Sequence, residues 1–150
     1  MLLRQARNAT TRTVTRVLAC CRFFYSQDAF RRETSFYERD AFRKCLPELL
    51  TTSATANATA PPGSALPPFI VLDRGLTLTE WMKTPRVPSA ILAMATDIAT
   101  LLGTLHASGS VHRDLKPENL LLVMHTQTWR LLDLGIAATV GAAPRPRPAA

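Results

Sequence analysis

The stretch VHRDLKPENLLL, residues 111–122, places five chemically different residues just ahead of an apolar run. Asp, Lys, Pro, Glu and Asn fall within the six positions 114–119, and the apolar run Leu120–Val123 then predicts a strand. A second apolar stretch, Trp129–Leu132, predicts another strand, and the five residues between them, Met124–Thr128, have a suitable length for a hairpin loop.

This hairpin predicts that two oxygen-bearing side chains lie side by side. If Leu120 pairs with Leu132 in an antiparallel register, then one step outward Asn119 faces Asp133. Directly opposed residues have Cβ atoms about 4.5–5.5 Å apart. Amide and carboxylate oxygens suit Mg²⁺, which takes few protein ligands together with phosphates and water. The hairpin therefore predicts a magnesium site.

The loop before the hairpin carries further candidate catalytic groups. Asp114 is a candidate base or hydroxyl-orienting group, and Lys116 can point the same way in an extended loop, toward a transferring phosphate. Pro117 fixes its own φ and stiffens the loop. These residue types suit phosphoryl transfer, which depends on positioning and charge stabilisation.

Two motifs in this region carry a family resemblance. HRDLKPEN, residues 112–119, resembles the catalytic loop of eukaryotic-type protein kinases, and its DLKPEN form resembles Ser/Thr rather than Tyr kinases. LLDLGIA, residues 131–137, resembles their metal-binding motif, with Leu134 where Phe is usual.

The resemblance implies a role for each matching residue. Asp114 would accept a proton from the substrate hydroxyl or orient it, and Lys116 would neutralise the γ-phosphate of ATP. Asn119 and Asp133 would hold Mg²⁺. His112 would support the loop by packing and would not shuttle protons.

The resemblance extends upstream of the catalytic loop. FIVLDRG, residues 69–75, resembles the strand and hinge that bind adenine through backbone groups, here near Asp73 to Gly75. ACCRFF, residues 19–24, resembles the third strand of the small lobe, with Arg22 where Lys is usual. The helix that follows offers Glu33 as the ion-pair partner of Arg22. A competing interpretation assigns the same N-terminal residues to a targeting peptide.

The sequence also departs from the family pattern. The first glycine is Gly63, so no glycine-rich phosphate loop is recognisable, and only 17 residues follow Asp133. We therefore expect an α+β, protein-kinase-like two-lobed fold whose small lobe is incomplete and whose helical lobe is truncated after the metal-binding motif.

Three segments are expected along the chain, the second of which contains a long loop. Residues 1–16 form a basic segment that is disordered or targeting, and residues 17–140 form a partial kinase-like domain. Within it, the Thr/Ala/Pro-rich residues 51–68 are expected to be a loop. Residues 141–150, rich in Ala, Pro and Arg, are expected to be a disordered tail.

Three helices are expected from periodicity and capping residues. Residues 28–45 read as a helix with Asp28 as its N-cap, and residues 77–83 as a short helix capped by Thr77. The clearest helix spans residues 89–106, with Ser89 as its cap and Gly109 after its end. Without a complete helical lobe around it, this helix would expose apolar surface and make the chain unstable or dependent on a partner.

Composition limits the remaining possibilities. The net charge is +7, with five arginines and no acidic residue in residues 1–27. Nothing in the sequence resembles the apolar core of a secretory signal, so we expect a cytoplasmic protein, or a mitochondrial one if the Arg-rich, acid-poor residues 1–27 act as a transit peptide. The sequence has no basic patch interleaved with aromatic residues, so we do not expect it to bind nucleic acid. We also expect no apolar run to reach the roughly 18 residues of a membrane span.

The sequence leaves two functions open. The first is ATP- and Mg²⁺-dependent phosphoryl transfer to Ser or Thr of a protein substrate. The alternative is a pseudokinase or truncated regulatory module that binds nucleotide weakly or only a protein partner, which Arg22 and the missing glycine-rich loop favour.

Overall fold

The computed structural model describes residues 20–59, 61 and 63–140. Within these residues there are four α-helices: α1 (Gln27–Tyr37), α2 (Ser53–Ala58), α3 (Leu78–Trp81) and α4 (Pro88–Ala107). The same residues contain eight strands: β1 (Cys20–Phe23), β2 (Leu49–Thr52), β3 (Phe69–Leu72), β4 (Gly75–Thr77), β5 (Ser110–Val111), β6 (Leu120–Val123), β7 (Thr128–Leu131) and β8 (Ala138–Thr139). The expected segments 1–16 and 141–150 lie outside the described residues.

The strands form three small antiparallel sheets. The first sheet has the order β1-β3-β2, the second β4-β6-β7, and the third pairs β5 with β8. In the first sheet Arg22 lies opposite Ile70, so β1 and β3, both expected from the sequence, are neighbours. The mixed α and β content confirms the expected α+β class.

The expected helix over residues 28–45 is wrong in both of its bounds. Helix α1 begins after Ser26, whose side chain accepts a hydrogen bond from the Ala29 backbone N–H at 3.2 Å, so Ser26 and not Asp28 is the N-cap. The helix ends at Tyr37, and a short 3-10 helix, Asp40–Phe42, follows. The change of direction has a packing reason, because Phe30 and Phe42 are buried in different cores.

The expected loop over residues 51–68 is also partly wrong. Thr51 and Thr52 continue β2, which pairs with β3, and Thr52 then caps α2 by accepting a hydrogen bond from the Thr55 backbone N–H at 3.3 Å. Ser53 is buried and its hydroxyl accepts the Phe69 N–H at 3.1 Å. Small Thr, Ser and Ala side chains therefore pack here despite their low complexity.

The two later helices lie where the sequence placed them. Thr77 caps α3 through a capping box with Glu80, as expected. Helix α4 begins at Pro88, after Val87 and without a side-chain cap, so the expected Ser89 cap is wrong. Pro at the first helical position needs no N–H partner, which explains this start. Gly109 follows the helix end with φ +73°, as its position predicts.

Two hydrophobic cores hold the described residues together. The smaller core is formed by Phe30, Ile70 and Leu72 between α1 and the first sheet. The larger core joins α3, α4 and the second sheet, with these buried members: Phe42, Cys45, Leu46, Leu78, Trp81, Leu101, Leu105, Leu120, Trp129, Leu131, Leu134 and Ala137. The catalytic-loop stretch lies over the larger core.

Helix α4 buries only one side against this core. Leu105 is fully buried, whereas Leu92 is 69% exposed and Ile91 47% exposed, as the sequence led us to expect. By length and composition α4 could cross a membrane, and 6% of its most apolar window is buried, so the expectation that no run reaches this length was wrong. A single such helix is weak evidence for a membrane segment, because core helices of soluble proteins meet the same criterion.

Candidate active site

The loop before the hairpin is anchored by a buried histidine. His112 is 3% exposed, and its Nε2 lies 2.8 Å from the Leu132 carbonyl oxygen. Its Nδ1 accepts the Asp114 backbone N–H at 3.3 Å, so in the neutral ring the proton is on Nε2 and is donated to Leu132. Both ring nitrogens bind backbone, which bears out the supporting role expected for His112.

Three side chains of the loop form a hydrogen-bonded network. Asp114 Oδ2 accepts from Lys116 Nζ at 2.7 Å and from Asn119 Nδ2 at 3.0 Å. Asn119 Nδ2 also donates to the Asp114 carbonyl oxygen at 2.8 Å. The hydrogen bond from Lys116 lowers the pKa of the Asp114 carboxyl, and the same bond raises the pKa of the Lys116 ammonium. Both groups are therefore charged at neutral pH.

The expected hairpin forms with a register shifted by one residue. Leu120 lies opposite Leu131, and the loop has four residues, 124–127, where five were expected. Gln127 adopts a left-handed φ of +53° and donates its N–H to the Val123 carbonyl oxygen at 2.9 Å. The left-handed conformation of Gln127 allows the shorter turn. A glutamine side chain does not indicate this conformation, so the sequence did not predict it.

The shifted register corrects the expected facing of Asn119 and Asp133. The Asn119 carbonyl oxygen accepts the N–H of Leu132 at 2.8 Å, so the backbone neighbour of Asn119 is Leu132. Asp133 follows directly and leaves the extended conformation with φ +60°. Leu132, the residue before Asp133, is hydrogen-bonded to both Asn119 and His112, so Asp133 follows directly from the point where the loop is anchored.

A second group of contacts holds Asp133 from the small-sheet side. Arg22 Nη2 lies 2.8 Å from Asp133 Oδ2, and Arg22 Nη1 lies 3.8 Å from Glu33 Oε1. The sequence predicted that Arg22 lies beside Glu33, and the structure brings these two residues together. The sequence did not predict the shorter contact between Arg22 and Asp133. We call Arg22, Glu33 and Asp133 the arginine clasp, and residues 110–132 the loop–hairpin unit.

Glu33 is the buried member of the arginine clasp. It is 1% exposed, and this burial raises the pKa of its carboxyl. The Arg22 charge opposes the increase and the Asp133 charge adds to it. The backbone amides of Asp133 and Leu134 also lower this pKa, yet neither reaches Glu33 Oε2 with good hydrogen-bond geometry.

The expected adenine-binding residues lie on a separate segment between β3 and β4. Asp73 donates its backbone N–H to the Glu48 carbonyl oxygen at 3.1 Å, and the Arg74 carbonyl oxygen accepts the Met124 N–H at 3.1 Å. Among the described residues, the Asp73 carbonyl and the Arg74 N–H make no hydrogen bond. One acceptor and one donor thus remain for a base edge.

The side chains of this segment do not join the other candidate residues. The Asp73 side chain is buried and lines a cavity of about 540 Å³ with His125 and Arg130. Gly75 lies opposite Val123 in the second sheet, where an added Cβ would clash with the Leu122 carbonyl oxygen. Close strand approach therefore explains why this position is glycine.

The residues expected to hold Mg²⁺ fit that ion by their chemistry. Asn119 uses Nδ2 for the loop network, and its Oδ1 makes no hydrogen bond with the described residues. Asp133 offers carboxylate oxygens, one of which contacts Arg22. Within the described ranges no group of three or more His, Cys, Asp or Glu could hold a metal. A two-ligand oxygen set is what Mg²⁺ uses when phosphates and water complete its shell.

The mixed α and β fold is consistent with a part of a protein kinase domain. The family model for the protein kinase domain matches residues 72–147, just over half of the 150 residues, and the chain belongs to this family.

Curated serine/threonine-protein kinases are similar to parts of the chain. Pkn1 of Myxococcus xanthus is 35% identical over 75 residues, which are 47% of this chain and 11% of Pkn1. PknB of Mycobacterium tuberculosis is 29% identical over 119 residues, 73% of this chain and 18% of PknB. PknL of the same species is 36% identical over 80 residues, 51% of this chain and 20% of PknL. The chain thus spans between 11% and 20% of the length of these relatives.

Sequence reasoning missed two backbone features of the site. Arg113 and Asp133 both have left-handed φ values, +69° and +60°, on either side of the loop network. Aspartate tolerates this region better than most residues, whereas arginine does so at a cost. Only the resemblance of the surrounding motifs could have indicated such positions, because neither residue is glycine.

Proposed function

We propose that this chain carries the catalytic loop of a serine/threonine-type protein kinase and transfers the γ-phosphate of ATP to a protein hydroxyl. The observation that carries the proposal is the hydrogen-bonded network of Asp114, Lys116 and Asn119, which is joined through Asn119 to the backbone of Leu132, the residue before Asp133. The similar proteins described above are all serine/threonine-protein kinases, which supports a serine or threonine hydroxyl as the acceptor.

In the proposed mechanism the loop–hairpin unit positions the reacting groups. Asp114, ionised at neutral pH, orients the substrate hydroxyl and accepts its proton. Lys116 is charged and can turn from Asp114 to the transferring phosphate, since both side chains are partly exposed. His112 keeps this loop at a fixed distance from Leu132.

The remaining proposed roles concern ATP and its cation. Asn119 Oδ1 and the Asp133 carboxylate would hold Mg²⁺, which when bound neutralises phosphate charge. Arg22, supported by Glu33, would face the phosphates, and the free backbone groups of Asp73 and Arg74 would bind the adenine edge. Gly75, the first residue of β4, would let β4 approach β6 closely.

A phosphorylation assay tests the proposal. The full chain is incubated with Mg²⁺ and radiolabelled ATP, and label is counted in a basic acceptor protein. We expect incorporation that depends on Mg²⁺ and is lost in Asp114→Asn and Asp133→Asn. Incorporation in Asp133→Asn equal to that of the unaltered chain would refute it.

A second candidate function is a regulatory module without catalysis that binds a protein partner. Two observations favour it: the Arg22–Asp133 contact at 2.8 Å and the exposed apolar side of α4. A thermal-shift titration separates the two. A folded chain whose melting temperature does not respond to Mg²⁺ and ATP favours this module, and a saturable increase favours the kinase.

The location of this chain in the cell is a further proposal. We propose the cytoplasm, with mitochondria as the alternative if residues 1–27 act as a transit peptide. A fluorescent reporter fused to residues 1–27 distinguishes them. We expect diffuse signal, and import into mitochondria would establish the alternative.

A further inference from the structure

Arg22 lies between two carboxylates of different accessibility. The side chain of Asp133 is 28% exposed and that of Glu33 is 1% exposed, while that of Arg22 is 35% exposed. The guanidinium makes its short contact, 2.8 Å, with the accessible carboxylate and its longer contact, 3.8 Å, with the buried one. The short contact is therefore made with the more accessible of the two carboxylates.

The buried carboxylate still has capacity for a donor. Glu33 Oε2 is buried and makes no hydrogen bond of good geometry. A buried carboxylate oxygen without a donor is costly, and hydrogen bonds between charged partners are the stronger ones. The guanidinium has five N–H donors in a planar fork, so a small movement from Asp133 toward Glu33 would provide that donor.

We propose that Arg22 and a divalent cation compete for the Asp133 carboxylate, and that the displaced guanidinium moves onto Glu33. The inference rests on the proposed function, because it takes Asp133 as the cation ligand. Arg22 is then a positioning residue that sets the affinity for the metal ion. The planar fork of arginine presents N–H donors on separate nitrogens to the two carboxylates, whereas lysine offers its three donors from one compact ammonium.

Mn²⁺ binding followed by electron paramagnetic resonance tests the competition. We compare the full chain with Arg22→Gln, and use Arg31→Gln as the control, because Arg31 is an exposed arginine of α1 outside the clasp. We expect Arg22→Gln to bind Mn²⁺ about fivefold more tightly, the size of a partly exposed ion pair, and Arg31→Gln to bind as the unaltered chain does. Equal affinity in all three, or no binding in any, would overturn the inference.

A second measurement separates competition from a simple change of charge. The side-chain Nε resonance of Arg22, assigned by its loss in Arg22→Gln, is followed by ¹⁵N NMR during a Mg²⁺ titration. We expect it to move saturably to the position that it already has in metal-free Asp133→Asn, where Glu33 is the remaining partner. A resonance that stays fixed while Mg²⁺ binds would contradict the movement.

The failure of this inference can be told from the failure of the proposed function. If Asp133→Asn loses Mn²⁺ while Arg22→Gln binds like the unaltered chain, only the competition is wrong. If Asp133→Asn binds Mn²⁺ as well as the unaltered chain, Asp133 is not the ligand and both fail. If no variant binds Mn²⁺ alone, the inference fails and the phosphorylation assay decides the function independently.

Discussion

The loop–hairpin unit and the arginine clasp are held together by different kinds of contact. In the loop–hairpin unit, His112 and Asn119 are buried and bond to backbone groups of nearby residues. In the clasp, one partly exposed guanidinium joins carboxylates from two distant segments. The first arrangement fixes geometry before any ligand binds, whereas the second can be exchanged for a ligand. The four predictions below test this difference.

We expect the largest effect on stability when the anchoring histidine is substituted. His112→Ala removes a buried ring and leaves the Leu132 carbonyl without its donor, so we expect a loss of about 3 kcal/mol in the free energy of unfolding. Urea denaturation measures it. His125→Ala, in the exposed hairpin loop, is the control and should change the value by less than about 0.5 kcal/mol. Equal losses would mean that the loop is not anchored through His112.

Asn119→Ala should have the next largest effect. Asn119 is 6% exposed and its Nδ2 donates to two oxygens of Asp114. Loss of these bonds should cost about 1–2 kcal/mol in the free energy of unfolding. Asn57→Ala is the control, since the Asn57 hydrogen bonds to Leu66 are exposed. A larger loss for Asn57→Ala would contradict the preorganised loop.

The pH dependence of stability should reveal the buried carboxylate of the clasp. Burial raises the pKa of Glu33 above its ordinary value of 4.5, so the folded chain binds this proton more tightly than the unfolded chain. The resulting stability is present below about pH 4.5 and is lost as the pH rises through the folded-state pKa. Glu33→Gln has no ionisable carboxyl at this position, so its stability does not decrease in this way as the pH rises.

Melting temperatures measured from pH 4 to pH 8 test this sign. The melting temperature of Glu33→Gln, relative to the unaltered chain, should increase as the pH rises. Glu38→Gln on the exposed end of α1 is the control. A relative melting temperature that decreases with pH would mean that Glu33 is stabilised in its charged form.

The smallest effect on stability is expected for the clasp arginine. The Arg22–Asp133 pair is partly exposed, so Arg22→Gln should change the free energy of unfolding by less than about 1 kcal/mol. Arg43→Gln, which breaks a far more exposed pair with Asp40, is the control and should change it less. A loss at Arg22 as large as that of His112→Ala would show that the clasp is structural and not exchangeable.

The sequence predicted best those elements whose determinants are local. Strand β3, the Thr77 cap of α3, the span of α4 and both hairpin strands follow from periodicity and capping residues within a few positions. The same local contacts explain why the HRDLKPEN motif identified the loop network. His112, Asp114 and Asn119 bind within the loop or to the adjacent strand.

The sequence predicted poorly what depends on backbone conformation or on distant segments. The register was wrong by one residue because Gln127 adopts a left-handed φ, which its side chain does not indicate. The helix 28–45 was too long because Phe30 and Phe42 belong to separate cores. The Arg22–Asp133 contact joins residues from opposite ends of the domain, and no pattern near either residue indicates it.

A crystal structure of the chain with Mg²⁺ and a non-hydrolysable ATP analogue tests the central claim most directly. We predict that Asn119 Oδ1 and the Asp133 carboxylate lie about 2.1 Å from one Mg²⁺ ion that also contacts the phosphates, with Arg22 no longer on Asp133. A cation bound elsewhere, or Asn119 and Asp133 directed to separate sites, would contradict the account.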